Sequence, residues 1–468
     1  MISASLHPET VRAQCRPRRR RFAFGFTPRT IWLLAAGLAW ALPGFWSARL
    51  GYGMLAWDGL VLLAAAWDRM RLAAPESITV ERAWSNAPSL LNSTEIEIAV
   101  EQEGAAILDC RIVDDLPEAL VGVPRTHSLR AWPRVRAILR YPIEPRERGD
   151  VTTGAVYLRY RSLLGLVDNW AMAPLEQTVC VYPTLRQGAD QEIFLARGRQ
   201  IDLQLRQVRE RGLGRDFESL REYLEGDDLR DICWTATARR GQLITRRYQT
   251  ERSQAVWIVL DAGRLLQGRI LRDTEDEQRR GFSKFDYGCS TAVALAQLAL
   301  YSGDRVGLLV YGQQAQQRIL PGRGPAHLRL IVEALAQARV EASEADHLRA
   351  TATLNRWQPR RALILWITDL AETAMRPEVI DGAMQLLKRH VLLFVAMAQP
   401  DVEAIAKDRP KSVEQMFRAA AAQELAMRRE VLLARLREQG ALTLDLDPDR
   451  LTAAVLNQYL RVKERAMV

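Results

Sequence analysis

Two aspartates end apolar runs of the kind that form buried strands. Asp261 closes AVWIVLD (255–261), and Asp369 stands in RALILWITDL (361–370). The carboxyl ends of parallel strands meet at one edge of a sheet, where ligands bind, so both carboxylates are expected at that edge. Oxygen ligands of this kind suit a hard cation such as Mg²⁺. The alternative is that each aspartate caps the turn or helix that follows it.

A third carboxylate, Asp286, precedes the helical run YGCSTAVALAQL (287–298). With Asp261 and Asp369 it could serve a carboxylate-based hydrolase, provided that the three approach within metal or proton-transfer distance. Its alternative role is that of a helix N-cap. The chain contains no H-E-x-x-H, G-x-S-x-G or G-x-x-x-x-G-K-[ST] pattern, which argues against the common hydrolase and nucleotidase classes. We therefore predict that the chain is not an enzyme.

The densest charge lies in residues 221–254, REYLEGDDLRDICWTATARRGQLITRRYQTERSQ. Arginine forks bind carboxylates through two parallel hydrogen bonds, and a buried network of such pairs fixes a geometry. Trp234 would be the buried apolar anchor of this network. The segment is thus predicted to be a structural joint that locks the regions on either side of it in register. Its structural or interaction residues are Gly226, Asp227, Asp228, Arg230, Trp234, Arg239, Arg247 and Glu251, with Asp286 as a further one outside it.

The same segment lacks the features of a catalytic or nucleic-acid site. Thr235 and Thr237 have no His or Lys nearby in the sequence to activate them. Six acids offset the arginines, whereas a nucleic-acid surface needs unopposed cations with interleaved aromatic residues. The net charge of the chain is +9, and the Arg-rich tail over residues 1–30 is the one feature that would suit nucleic acid. No nucleic-acid partner is predicted.

The N-terminal part of the chain suggests a membrane anchor. Residues 31–67 contain two apolar runs, each close to the roughly 20 residues that cross a hydrocarbon core. Arginines flank the pair and tryptophans lie near its ends. The pattern predicts a transmembrane helical hairpin in the inner (cytoplasmic) membrane, with most of the chain in the cytoplasm. Asp58 lies within the second run, where a carboxylate is costly.

Three regions follow the predicted hairpin. Short runs of alternating apolar residues, separated by turn residues, predict a β-sandwich over 76–185. Residues 186–254 contain the charged joint. Strand–helix alternation over 255–468 predicts a doubly wound parallel sheet of the Rossmann type. Five dispersed cysteines without C-x-x-C spacing suit a reducing compartment.

The order of strands, with VLDAGR first and WITDL later, resembles a von Willebrand factor A-type domain. The resemblance implies an α/β fold and a metal-ion-dependent adhesion site with the pattern D-x-S-x-S. Asp261 and Asp369 match its acidic positions, but Gly263 and Leu265 stand where the two hydroxyls belong, and Arg264 adds positive charge. Mg²⁺ requires near-octahedral oxygen ligands. We therefore predict no cofactor, with a Mg²⁺-dependent ligand-binding module as the alternative.

A second resemblance rests on the charged segment, whose residues follow the order REY-x-x-GDD-x-R-x-IDW-x-A-x-AR. This pattern is similar to that of the bacterial domain-of-unknown-function family 58 (DUF58), although Cys233 replaces its usual aspartate. LLGLVDNW (163–170), KFDYG (284–288) and GDRVGLLVYG (303–312) extend the similarity. The resemblance implies association with a MoxR-type AAA+ ATPase in envelope assembly or a chaperone-like role. The predicted function is that of a non-catalytic, membrane-anchored interaction scaffold.

Overall fold

The chain forms two compact units in a computed structural model, one over residues 1–184 and one over 185–468. The structure describes residues 8–18, 24–40, 48–90, 92–120, 126–183, 216–224, 229, 232–249, 254–270, 282–370, 378–398 and 400–465. The two units are treated separately below.

Unit 1 is built from short antiparallel strands around one core. The strands are Val11–Gln14 (β1), Arg16–Pro17 (β2), Phe24–Phe26 (β3), Ile78–Trp84 (β4), Thr94–Gln102 (β5), Leu108–Asp114 (β6), Thr126–Ala131 (β7), Ala137–Ile143 (β8), Gly149–Thr153 (β9), Val156–Ser162 (β10), Val167–Ala173 (β11) and Gln177–Val181 (β12). One sheet has the order β1-β4-β5-β8. A second has the order β2-β11-β10-β6-β7 with β3 also on β11, and β9 pairs with β12.

The alternation of buried and partly exposed side chains along the strands shows where the core of unit 1 lies. Every second residue of β4 is buried, beginning at Ile78, as expected of a strand with one face inward. Buried residues of both larger sheets belong to one hydrophobic cluster, which includes Ile96 from β5 and Ile112 from β6. The two sheets therefore share a single core. Arg82 occupies one of the inward positions of β4 and is buried like its apolar neighbours.

Two helices lie in the segment for which a transmembrane hairpin was predicted, and that prediction is wrong. They are Pro28–Gly37 (α1) and Ala48–Arg71 (α2). Among the residues that the structure describes, no helix combines the length and the apolar character that a membrane span requires. The ten residues of α1 rise only about 15 Å, half the thickness of a hydrocarbon core. The longer α2 carries charges along its length, at Arg49, Asp58, Asp68, Arg69 and Arg71.

A buried carboxylate attaches the C-terminal end of α2 to the rest of unit 1. Asp68 accepts a short hydrogen bond from the hydroxyl of Ser162 and a second, at 3.1 Å, from the backbone N–H of Leu166. Near the middle of α2, the indole N–H of Trp57 donates to the Leu33 carbonyl on α1 at 2.8 Å. Asp68 thus serves to fix a helix to a turn, a role that a count of apolar residues cannot reveal.

Unit 2 alternates strands and helices. Its strands are Asp216–Glu222 (β13), Ile244–Gln249 (β14), Ala255–Asp261 (β15), Arg269–Ile270 (β16), Phe282–Ser283 (β17), Arg305–Tyr311 (β18), Ala315–Gly322 (β19), Leu363–Thr368 (β20), Val391–Met397 (β21) and Leu442–Leu446 (β22). Its helices are Trp234–Arg240 (α3), Lys284–Tyr301 (α4), Gly324–Gln337 (α5), His347–Trp357 (α6), Glu378–Leu387 (α7), Pro400–Lys407 (α8), Val413–Glu438 (α9) and Pro448–Glu464 (α10).

The main sheet of unit 2 has the order β19-β18-β15-β20-β21-β22. β15 is parallel to both β18 and β20, and β21 is parallel to β20 and β22, whereas β19 runs antiparallel to β18. The sheet is therefore mixed, and the prediction of a purely parallel sheet is wrong at this edge. β19 is an edge strand with the sequence AQQRILPG and no buried residue, so it lacks the long apolar run by which the buried strands could be recognised.

Helices cover both faces of this sheet. On one face, Trp257 of β15 and Trp366 of β20 share a core cluster with residues of α6, α7 and α9. On the other face, α4 approaches so closely that a Cβ added to Gly288 would lie 2.8 Å from Leu260. The chain extends the sheet first from β15 towards β18 and later from β20 towards β22. The direction of winding therefore changes between β15 and β20, which is where α/β sheets bind their ligands.

Candidate functional site

The carboxyl ends of β15 and β20 bring the two predicted carboxylates to this switch point. Asp261 is the last residue of β15, and Asp369 directly follows β20. Both side chains are buried. Thr368, the last residue of β20, donates its hydroxyl to Asp261 Oδ2 at 2.6 Å and so connects the two strand ends. The sequence-based expectation that Asp261 and Asp369 lie at the same edge agrees with this geometry.

Hydrogen bonds hold Asp261 inside a tight turn. Its Oδ1 accepts from the backbone N–H of Gly263 at 2.7 Å, while Oδ2 accepts from Thr368. Burial raises the pKa of Asp261, although His347 and the bond from Thr368 favour the ionised form. A Cβ added to Gly263 would lie 2.9 Å from the backbone nitrogen of Ala345. This turn therefore has no room for the hydroxyl side chain that a von Willebrand A-type metal site places here.

Two basic side chains neutralise Asp369. The ammonium group of Lys284, at the start of α4, donates to Asp369 Oδ2 at 2.6 Å and is itself buried. The Arg429 guanidinium on α9 reaches Asp369 Oδ1 at 3.2 Å. Arg429 also binds both oxygens of Asp445, at 2.6 and 3.2 Å. Each oxygen of Asp369 thus contacts a cation supplied by the protein.

Asp286 takes part in capping α4, but at the third helical position, whereas Ser283 occupies the N-cap position predicted for Asp286. Its Oδ2 accepts from the backbone N–H and the hydroxyl of Ser283, at 3.1 and 2.6 Å. In return, the Ser283 hydroxyl accepts from the Asp286 backbone N–H at 3.2 Å. This reciprocal pair is a capping box at the start of α4. Asp286 therefore stabilises a helix end, while Asp261 and Asp369 lie at the switch point.

A cavity of about 280 Å³ lies between α8, α9 and β22. Its lining combines apolar side chains, such as Val402 and Leu425, with charged ones that include Arg429 and Asp445. Arg429 thus contacts both the cavity and Asp369. The charged side chains of the cavity wall are paired: Arg429 with Asp445, Glu403 with Lys407, and Glu430 with Arg437.

Buried aromatic groups below the switch point were not found from the sequence. The Trp366 indole N–H donates to the Tyr311 hydroxyl at 2.7 Å, and this hydroxyl lies 2.9 Å from Nδ1 of His347. Burial lowers the pKa of His347, whereas the charge of Asp261 favours its protonated form. Because 36 residues separate Tyr311 from His347, no local spacing could have indicated this network.

The charged segment, residues 221–254, differs from its prediction in the exposure of Trp234. Trp234, expected to be a buried anchor, is 66% exposed at the first position of α3, so that prediction is wrong. Arg239 on the same helix is exposed as well. Gly226, Asp227, Asp228, Arg230 and Glu251 lie outside the described residues, as does the side chain of Arg247 on β14. The carboxylate–arginine network of the joint therefore stays a prediction.

The neighbours of Trp234 extend its exposed surface. The residues just before it, Ile232 and Cys233, are buried, and the backbone N–H of Cys233 donates to the Ile244 carbonyl at 2.7 Å. This bond fixes the start of α3 against β14. Four large apolar side chains near it in the sequence are exposed as well, namely Leu220, Leu224, Leu229 and Leu243. We call these four leucines and Trp234 the Trp234 surface.

Comparison with known proteins identifies this part of the chain. A model of the family "Protein of unknown function DUF58" matches residues 219–422, which include the Trp234 surface, Asp261 and Asp369. Residues 219–422 belong to the DUF58 family. The uncharacterized protein YeaD of Bacillus subtilis is 23% identical over 263 residues, covering 54% of this chain and 59% of YeaD. The uncharacterized protein Rv1480 of Mycobacterium tuberculosis is 25% identical over 266 residues, covering 54% of this chain and 81% of Rv1480.

Two solved structures show a distant likeness to this chain. The conserved hypothetical protein BatB from Bacteroides thetaiotaomicron is 12% identical, covers 46% of this chain and 98% of its own, and has a TM-score of 0.27. An uncharacterized membrane spanning protein from Vibrio fischeri is also 12% identical, over 44% of this chain and 96% of its own, with a TM-score of 0.18. Scores this low carry no argument about the fold, which rests on the strand order above.

Proposed function

We propose that this DUF58 protein is a non-catalytic interaction scaffold that works with a MoxR-type AAA+ ATPase, in envelope assembly or a chaperone-like role. The observation that carries the proposal is the Trp234 surface within the DUF58 region. Tryptophan is enriched among the residues that dominate protein–protein affinity, because one side chain removes a large apolar area from water. Here the indole is 66% exposed, and four leucines near it in the sequence are exposed too.

The rigid attachment of α3 supports the same proposal. Burial of Ile232 and Cys233 and the bond to the Ile244 carbonyl fix the start of the helix, so Trp234 is held in one place on the surface. An anchor that is already ordered loses little conformational entropy when a partner covers it. Arg239 and Arg240 in the last turn of α3 add positive charge at the rim, which favours an acidic partner surface.

The switch point supports a non-catalytic role. A general acid–base pair needs two titratable groups whose environments push their pKa values apart and whose oxygens can reach a substrate. Asp261 is bound by Gly263 and Thr368, and Asp369 is bound by Lys284. Asp286 belongs to the capping box of α4. The carboxylate hydrolase and the Mg²⁺-dependent module therefore remain the less favoured functions.

Replacement of Trp234 by alanine tests the interaction proposal. We expect the affinity for the purified MoxR-type ATPase to fall by about 30-fold or more, since truncation of a central aromatic residue costs about 2 kcal/mol or more. Isothermal titration calorimetry with the full chain measures the change. Trp132→Ala is the matched control, because Trp132 is 53% exposed but lies in unit 1. Equal affinity of the Trp234→Ala variant and the unchanged protein would argue against this surface.

We further propose that unit 1 contacts the surface of the cytoplasmic membrane through α1 and α2, without spanning it. Large apolar side chains are exposed on these helices, with Trp32 at 75% and Leu63 at 71% among them. Arg29, Arg69 and Arg71 lie at the ends of the same helices. Exposed Trp and Leu with nearby arginines are typical of segments that lie in the headgroup region of anionic bilayers.

Vesicle flotation tests this contact. The full chain is expected to float with vesicles that contain phosphatidylglycerol, and Leu63→Glu should lower the bound fraction by about tenfold at limiting lipid, because burial of one leucine contributes about 1.5 kcal/mol or more. Leu320→Glu is the control, since Leu320 is exposed to a similar degree on β19 of unit 2. Equal flotation of the two variants would contradict the proposed contact.

A further inference from the structure

Two exposed arginines stand side by side at the amino edge of the main sheet in unit 2, the edge at which its parallel strands begin. Arg361 lies just before β20 and Arg389 just before β21, and these two strands are parallel neighbours. The pairing continues to this edge, because the backbone N–H of Val391 donates to the Ala362 carbonyl at 3.0 Å. Both arginine side chains are exposed. Two positive charges therefore lie at neighbouring positions, opposite the switch point.

His390, which follows Arg389, is buried without a hydrogen-bond partner. It is 4% exposed, and neither Nδ1 nor Nε2 has a partner in the described part of the chain. Burial, followed by the positive charges of Arg389 and Arg361, lowers the pKa of His390 to about 4, so the ring is neutral near pH 7. A neutral imidazole carries one N–H donor, and a buried donor without an acceptor is costly. The ring is thus a donor that lacks an acceptor, close to two like charges.

The stability of the fold does not account for this arrangement. Like charges at neighbouring strand positions are destabilising, and among the described residues neither Arg361 nor Arg389 forms an ion pair. Lys388 and Arg389 follow the C-terminal end of α7, which favours cations. That effect leaves Arg361 and the ring of His390 unexplained. An anion at this edge would satisfy all three groups.

We infer that Arg361, Arg389 and His390 form a binding site for a phosphate group at the amino edge of this sheet. Guanidinium forks bind phosphate oxygens through two parallel hydrogen bonds, and two forks from neighbouring strands can hold one tetrahedral anion. The ring nitrogens are covered, so the arginines bind first. A phosphate oxygen then supplies the acceptor that His390 lacks, after the side chains over the ring turn aside. The inference concerns unit 2 alone and does not depend on the proposed partner.

Isothermal titration calorimetry of the full chain with inorganic pyrophosphate tests the site. In about 0.1 M NaCl, which screens weak long-range attraction, we expect saturable binding with a Kd of about 1 mM or lower. Arg361→Gln and Arg389→Gln should each weaken the binding by about tenfold or more, since each removes charge-assisted hydrogen bonds. Both variants should stay folded, because the replaced side chains are exposed.

Two further variants separate binding from structure. Arg418→Gln is the matched control and should bind as the unchanged protein does, because Arg418 is an exposed arginine that pairs with Glu414 near the start of α9. His390→Phe keeps a ring of similar size without the nitrogens. Its affinity should fall by about threefold or more, while its melting temperature without pyrophosphate should not fall. A lower melting temperature with unchanged affinity would mean that His390 is structural only and would contradict its place in the site.

Flotation with vesicles that contain phosphatidic acid identifies the source of the phosphate group. If Arg361→Gln floats less than Arg418→Gln, the site binds lipid headgroups. If the two variants float equally and Arg361→Gln has lost pyrophosphate, the site binds a soluble phosphate compound. Either result supports the inference. Two results would overturn it: no saturable pyrophosphate binding together with equal flotation, or pyrophosphate binding that Arg361→Gln and Arg389→Gln leave unchanged.

Discussion

Replacement of Asp369 by alanine is expected to lower the free energy of unfolding by about 3–5 kcal/mol, because it leaves buried cations without their anion. Lys284 and Arg429 contact Asp369 at 2.6 and 3.2 Å, and the carboxylate is fully buried. Arg429 keeps Asp445 as a second partner, so the ammonium group of Lys284 suffers the larger loss. Urea unfolding followed by circular dichroism measures the change.

A surface ion pair in the same unit is the control for Asp369. Glu424 and Arg428 pair one turn apart on α9, with both side chains exposed. Glu424→Ala should therefore change stability by about 0.5 kcal/mol or less. If Asp369→Ala lowers the free energy of unfolding by no more than Glu424→Ala does, the Asp369 carboxylate does not hold β20, α4 and α9 together as described.

The second large effect is expected in unit 1, at Arg82. This guanidinium is fully buried on β4 and donates to Thr153 Oγ1 at 2.7 Å, to the Leu175 carbonyl at 2.8 Å and to the Gly154 carbonyl at 3.0 Å. It also forms a short ion pair with Asp114. Arg82→Met leaves Asp114 buried without a cation, and unit 1 should lose about 3–5 kcal/mol of stability in urea unfolding.

A double variant shows whether the charge or the packing of Arg82 matters. Arg82→Met with Asp114→Leu removes both charges, and buried pairs replaced by apolar groups of similar volume are often neutral or stabilising. The Tyr141 hydroxyl, which also donates to Asp114, loses its acceptor, so recovery of about half of the loss is expected. No recovery in the double variant would mean that Arg82 stabilises unit 1 through its contacts with the two carbonyls and Thr153.

The strands of unit 2 that are buried at every position could be predicted from the sequence, because they consist almost entirely of apolar residues. The apolar runs that became β15, β20 and β21 are buried at every position, and such strands are continuous in hydrophobicity. Asp261 and Asp369 were predicted at one edge because strand polarity alone places them there. The edge strand β19 has no such run, and its antiparallel pairing went unrecognised.

Long-range polar contacts could not be predicted. Lys284 and Asp369 are 85 residues apart, and Tyr311 and His347 are 36 apart, so no spacing in the sequence relates them. The period of β4 does place Arg82 on the inward face, between Val80 and Trp84. That alternation would have indicated a buried arginine in need of an anion, without saying that the anion is Asp114.

Two of the three wrong predictions concern the exposure of side chains. A count of apolar residues does not distinguish a side chain that faces lipid from one that faces a partner or the rest of the fold. It gave a transmembrane hairpin where α1 is short and α2 carries charges. The charge pattern of the joint likewise predicted a buried Trp234, which the structure places on the surface. Exposure depends on tertiary packing, which neither an apolar count nor a charge pattern reports.

These observations assign different roles to two parts of the DUF58 region. The carboxylates at the switch point are paired with basic groups and hydrogen-bond donors of the same chain, and they stabilise the sheet edge. The Trp234 surface presents apolar side chains that nothing in the described part of the chain covers. We therefore expect substitutions at the switch point to change stability and substitutions on the Trp234 surface to change partner binding.

Photocrosslinking from position 234 tests the central claim most directly. A benzophenone amino acid in place of Trp234 in the full chain should crosslink to the MoxR-type ATPase in cells, and the same group at Trp132 should not. Mass spectrometry of the crosslinked band identifies the partner. A crosslink to the ATPase from position 234 alone is the predicted result. Crosslinking of the ATPase from position 132 but not from 234 would contradict the account.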